Sequence, residues 1–138
     1  MTHMMPRILS LLLITAFVCP LPAQAKVPLN QEVHINEQLV AAAIGEIIRQ
    51  NCSRISPRYL TFYRKAKDLE DYARAKGYTE AEVKAFLKDK TEQARVKRLA
   101  EGYLAEQGVV EQEEASYCKA GRAEIKNGTL TGELLRAW

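Results

Sequence analysis

The residues best equipped for chemistry in this 138-residue chain are three cysteines and two histidines. A nucleophile needs a base beside it. Past the first 25 residues the one imidazole is His34, in a polar stretch. It reads as a solvated histidine, because a catalytic group needs a rigid setting. A zinc site needs several soft ligands, and one histidine with no Cys-x-x-Cys cannot supply them. No glycine-rich phosphate loop follows a strand. Most carboxylates have basic partners at helical spacing, such as Arg64 with Asp68, Lys67 with Asp71 and Glu70 with Arg74. Such a pattern reads as a wet helix face. Glu111, Glu113 and Glu114 cluster where a helix begins, and there acids favour the helix dipole. No catalytic, cofactor-binding or metal residue is therefore assigned, no cofactor is expected, and the chain is expected not to be an enzyme.

Cys52 and Cys118 remain. They read as a disulfide, because cleavage of an export signal removes Cys19, and the even count it leaves in an exported chain favours pairing. Closing that loop stabilises a fold by about 4 kcal/mol on the chain-entropy view. The competing reading is two unrelated buried thiols.

Export is read from the start of the chain. Arg7 is the only formal charge before Lys26. Ile8–Val18 is an apolar run about half the ~20 residues a bilayer crossing needs. Pro20 and Pro22 follow, and Ala23-Gln24-Ala25 offers the small-x-small pattern of a cleavage site. Residues 1–25 thus read as a signal peptide cleaved after Ala25, leaving no membrane span and a periplasmic protein. Cys19 offers a lipoprotein alternative, which Val18 before it disfavours. The chain carries 20 basic and 17 acidic side chains. That balance makes nucleic acid a poor partner.

Behind the signal, residues 26–35 read as a flexible lead with Pro28. Residues 36–138 read as one helical domain. The expected fold is all-α, a small four-helix bundle with a short C-terminal turn, closed by the disulfide. Ile35, Leu39, Val40, Ala43, Ile44, Ile47 and Ile48 mark one face of a first helix, with Gly45 hinting at close packing. Ser56-Pro57 reads as the start of a second. Its apolar side is Tyr59, Leu60, Phe62, Tyr63, Ala66, Leu69 and Ala73, and Gly77-Tyr78 reads as a Schellman stop. Thr79-Glu80-Ala81-Glu82 is a capping box opening a third helix to about Gln107. A fourth spans about Glu113 to Lys126, halted by Asn127-Gly128. Asn127-Gly128-Thr129 also matches a glycosylation sequon, here read as that stop. Thr131 is expected to cap a final turn. No strand-like alternation stands out. The cysteines fall at the end of the first helix and the start of the fourth.

The third helix carries two apolar sets on opposed faces, Val83, Phe86, Leu87 and Ala94 against Val96, Leu99, Ala100 and Tyr103. Either it bends near Thr91 or it meets two partners. Burial of both sets is expected, since a small domain needs all its apolar side chains. If one set is exposed, Val96, Leu99 and Tyr103 become the candidate interaction surface. The six tyrosines Tyr59, Tyr63, Tyr72, Tyr78, Tyr103 and Tyr117 read as core-edge residues, with a contact surface as the sharper alternative.

Asn51-Cys52-Ser53-Arg54-Ile55-Ser56-Pro57-Arg58 and Ser116-Tyr117-Cys118-Lys119-Ala120-Gly121-Arg122-Ala123-Glu124-Ile125 resemble the DUF5333 family of exported alphaproteobacterial proteins. Gly132-Glu133-Leu134-Leu135-Arg136 and Asp89-Lys90-Thr91-Glu92-Gln93-Ala94-Arg95-Val96 fit the same family. The resemblance covers about residues 34 to 136. It implies an export signal and a shared cysteine pair, and no activity. It also implies a link to the respiratory NADH dehydrogenase. A chain without iron–sulfur or nucleotide motifs suits an accessory role there better than a catalytic one.

The function expected is a non-enzymatic periplasmic protein-interaction or accessory factor, its protein partner unidentified. A small disulfide-stabilised stress chaperone is the second reading, since carboxylates losing charge would expand it in acid. An enzyme with no recognisable motif is the third.

Overall fold

The computed structural model describes residues 25–138. Residues 1–24, most of the expected signal peptide and Cys19 among them, lie outside the described residues. The chain makes one 3-10 turn, Leu29–Gln31, and enters α1 (Val33–Asn51). Then follow β1 (Ile55–Pro57), α2 (Tyr59–Ala75), α3 (Glu80–Lys88), α4 (Lys90–Glu106), α5 (Glu114–Asn127), the single-turn α6 (Leu130–Glu133) and β2 (Leu135–Ala137). The all-α, disulfide-closed fold expected from the sequence is what forms, with more pieces than the four-helix outline allowed.

The expected third helix is two helices. Asp89 takes an extended conformation and its carboxylate accepts from the N–H groups of Thr91 and Glu92 at 2.7 and 3.0 Å. A residue that caps a new helix cannot continue the old one. The break therefore falls two residues before Thr91, and it resolves the opposed faces by letting α3 and α4 pack separately.

Ser56-Pro57 does not open the second helix. It lies in β1, which pairs antiparallel with β2 in the register Ile55–Ala137, Ser56–Arg136 and Pro57–Leu135. Two three-residue strands are too short to show alternation, so the sequence pattern hides them. The final turn is capped by Thr129, whose hydroxyl accepts from the Gly132 N–H at 3.0 Å. Thr131 is instead buried, its hydroxyl donating to the Ala41 carbonyl at 3.1 Å.

Other local rules hold. The Thr79 hydroxyl accepts from the Glu82 N–H at 3.1 Å and the Glu82 carboxylate accepts from the Thr79 N–H at 2.6 Å, a complete capping box. At the end of α2, Tyr78 N–H reaches the Ala73 carbonyl at 3.1 Å and Gly77 N–H the Arg74 carbonyl at 2.9 Å. With Gly77 at φ +88°, this is a Schellman cap.

The lead is held in place. Lys26 Nζ donates to the Gly77 carbonyl and the Glu82 carboxylate, each at 2.9 Å. The Tyr78 hydroxyl donates to the Val27 carbonyl. With these anchors α1 starts at Val33, earlier than the Asn36 start expected behind a flexible 26–35 lead.

Two cores form on α1. The larger gathers Ile44, Ile48, Cys52, Ile55, Ala100, Leu104, Tyr117, Cys118, Ala120 and Leu135. The smaller gathers Ile35, Ala73 and Tyr78, with Leu39, Leu69, Val83 and Phe86 half-buried around it.

Candidate functional site

The disulfide sits in the larger core. Cys52 ends α1 and Cys118 lies in α5, both buried, with Cα atoms 5.2 Å apart. It joins the elements that the sequence placed at the two ends of the domain. Gly121 lies one turn beyond Cys118. A Cβ there would stand 2.3 Å from Ile55 Cδ1 and 2.7 Å from Ile48 Cγ2, so glycine lets α1, β1 and α5 close on the bridge. Glu114 comes near the two sulfurs. Its carboxylate accepts from the Ser53 hydroxyl at 2.6 Å and the Ser53 N–H at 2.9 Å, and those bonds lower its pKa. With both sulfurs in the S–S bond no thiolate is offered to a metal, so this trio acts as a tie between the α1 end and the α5 start.

Shifted pKa values point to functional sites only when structural pairing fails to explain them. Here pairing explains each. The Glu82 carboxyl is lowered to about 2, chiefly by the Thr79 N–H and then by Lys26. The Tyr103 phenol is raised to about 12 by donating to the Glu124 carboxylate at 2.6 Å, with burial adding to it. Tyr72 is raised by its bond to Glu32, 2.6 Å long, and Glu46 is lowered mainly by Arg49. His34 is exposed, its ring 4.5 Å from that of Tyr72.

Val96, Leu99 and Tyr103 do not make one exposed patch. Val96 and Tyr103 are half-buried, and Tyr103 packs on the larger core. Leu99 alone is exposed, at 48%. The expected burial of both apolar sets is corrected in the same way, since Leu87 is also 48% exposed while Val83 and Phe86 are half-buried. α4 buries Ala100, which belongs to the expected set, together with Leu104, which does not, so its buried face is turned away from Leu99. Of the six tyrosines, Tyr78 and Tyr117 are buried and Tyr72 and Tyr103 half-buried, leaving Tyr59 and Tyr63 at the surface.

The largest departure is α2. Its apolar side was expected in the core, yet Ala73 is its only buried residue. Phe62, Tyr63, Ala66 and Leu69 line a groove of about 530 Å³ between α2 and α3, while Tyr59 and Leu60 lie outside it. Phe62, Ala66 and Leu69 form one wall, Val83 and Phe86 the other, and Ile35 and Leu39 of α1 the floor. From Phe62 to Arg74 the groove follows α2 for ~18 Å. The closed end is the Gly77-Tyr78 turn beside Lys26. The rim is charged and mixed: Lys67 pairs with Asp71 at 3.1 Å, Arg74 with Glu70 at 3.1 Å, and Glu80 and Lys84 stand on the α3 side. The apolar face of α2 was legible in the chain, but that α3 stops after nine residues, too short to cover that face, was not.

A family model described as a family of unknown function, DUF5333, matches residues 27–136. No curated protein and no solved structure matches.

Proposed function

We propose that this chain, which belongs to the DUF5333 family, works after export as a non-enzymatic accessory factor that binds a partner protein through the α2–α3 groove. The observation that carries this is the groove itself. An apolar trough between two helices, floored by a third and edged with both signs of charge, is the shape that receives one face of an amphipathic helix. Its ~18 Å length accepts about three turns of such a helix. Export to the periplasm rests on the leader pattern, and the disulfide fits an oxidising compartment.

The test is site-specific photo-crosslinking in an exporting cell. A crosslinker at Phe62 or Leu87 should give one discrete adduct, mapping to an amphipathic helix of the partner, and a crosslinker at Arg122 on α5 should give none. Equal adducts at all three positions, or none, would sink the proposal. Sequencing the exported protein should return Lys26 as its first residue, and an intact Met1 would sink the export reading.

A further inference from the structure

The start of α2 carries a second apolar surface, outside the groove wall. Tyr59, Leu60 and Trp138 are 73%, 71% and 70% exposed, and no other large apolar side chain among the described residues is more so. The small sheet ties together the two distant segments that carry them, and Arg136 links the Trp138 ring to the depression at Tyr59 and Leu60. Trp138 N–H donates to the Arg54 carbonyl at 3.3 Å, and Arg58 N–H to the Leu134 carbonyl at 2.8 Å. Pro57, Tyr59, Leu60 and Arg136 then share one shallow surface depression. The Arg136 guanidinium lies 6.0 Å from the centre of the Trp138 ring.

Around these side chains stand Arg54, Arg58 and Arg136, with Arg64 one turn beyond Leu60. All four are exposed and none has an ion-pair partner among the described residues. Of the nearby acids, Glu133 pairs with Lys65 at 2.5 Å, and Glu114 is held by Ser53 and feels the Arg54 charge without forming an ion pair with it.

A projecting aromatic and leucine tip ringed by unpaired guanidiniums has a specific complement. Tyrosine and tryptophan rings settle at the headgroup level of a bilayer, a leucine goes beneath them, and arginines meet the phosphates. An acidic protein pocket would satisfy the arginines but would need a recess for the tips, whereas a bilayer accepts them at any orientation. We propose that this end of the molecule docks on the surface of an anionic phospholipid bilayer, through Tyr59, Leu60 and Trp138 with Arg54, Arg58 and Arg136. No helix among the described residues is long and apolar enough to cross a membrane, so the contact is peripheral. It leaves the α2–α3 groove open to a protein partner at the same time.

Trp138 is the only tryptophan in the chain, so its fluorescence reports this face alone. The protein recovered after export, with its N-terminus read to establish loss of the leader, is mixed with vesicles of phosphatidylcholine and phosphatidylglycerol. The emission should move to shorter wavelength and the protein should float with the vesicles. Pure phosphatidylcholine vesicles should do neither, and added salt should release the protein. Arg58→Gln and Arg136→Gln should each weaken binding about fivefold. Leu60→Ser should reduce binding and the spectral shift together. All three positions are exposed, so the thermal midpoint should be unchanged and loss of fold is checked directly. Leu87→Asp in the groove should leave vesicle binding intact, which separates this proposal from the protein-binding one. Absence of a shift, equal binding to neutral vesicles, or binding that survives both arginine changes would each overturn it.

Discussion

The two ends of α1 are covered in opposite ways. At its C-terminal end Ile44, Ile48 and Cys52 are enclosed by α4, α5 and the small sheet, and a disulfide locks the enclosure. At its N-terminal end Ile35 is buried but Leu39 is only half-covered, because the α2–α3 hairpin arches over it and leaves a groove. Both ends show the same apolar spacing in sequence. The difference is the number of elements available to cover them. Apolar periodicity therefore says that a face requires cover, and topology decides whether the domain or a partner supplies it.

The sharpest way to break this comparison is to open the covered end. Cys52→Ala should lower the urea-unfolding free energy by about 4 kcal/mol. Adding Cys118→Ala should cost little more, since the pair acts as one unit. Additive losses would mean that the bridge is not what encloses this end.

Glycine substitutions probe the same contrast without touching the bridge. A Cβ on Gly132 would lie 2.0 Å from the Glu124 carbonyl oxygen, and backbone cannot yield as a side-chain tip does. Gly132→Ala should cost about 1–3 kcal/mol or more. Gly102, on the exposed side of α4, has nothing within 4 Å of its would-be Cβ. Gly102→Ala should instead stabilise by about 0.4–1 kcal/mol, through helix propensity and a less disordered unfolded chain. Thermal midpoints of the two variants moving in the same direction would show that the core end is less closely packed than its geometry indicates.

How much of this was legible follows from the range of each signal. Caps are local, and the Thr79 box and the Gly77 stop appear where their residues predict. The cysteine pairing was legible because only two partners remained. The strands were not, since Ser56-Pro57 carries a genuine helix-start pattern that long-range pairing with Leu135–Ala137 overrides. The Asp89 break was half legible. Opposed faces called for a bend or for two partners, and aspartate inside a polar run resembles an ordinary solvated residue until its cap is seen. The exposed start of α2 was illegible in principle, because nothing within a helix states how much of its apolar face the rest of the chain can reach.

Titration should separate by direction the two groups whose shifts are largest, one at each end. Glu82 at the hairpin's closed end has its pKa lowered to about 2 in the folded state. The stability it contributes is present above its unfolded pKa, near 4.5, and is lost as pH falls towards 2. Tyr103 has its folded pKa raised to about 12 from 10.0. The stability it contributes is present below its unfolded pKa and is lost as pH rises towards 12. Acid should therefore raise amide exchange around Gly77 and Tyr78, with Glu114 adding a response at the α1–α5 tie, and alkali around α4 and α5, with Tyr72 adding one at the start of α1. Glu82→Gln should flatten the acid response alone, and Tyr103→Phe the alkaline response alone. Swapped responses would contradict the assignment of the two groups.

The smallest expected effect, at Leu99, has its contrast within the same helix. Leu104 of α4 is 2% exposed and sits in the larger core, whereas Leu99, five residues earlier, is 48% exposed. Five residues turn a helix by 500°, which puts the two side chains about 140° apart, so one can be enclosed while the other meets solvent. Leu104→Ala removes a fully packed side chain and should cost ~2–5 kcal/mol in urea unfolding. Leu99→Ala opens no cavity and should change stability by about 0.5 kcal/mol or less. Leu99 is also distant in sequence from both proposed contact surfaces and lines neither. Its substitution should then leave both the groove crosslink and vesicle binding unchanged. A large loss of stability would show that α4 is rolled towards Leu99. Loss of either contact, with stability kept, would move the binding surface onto α4.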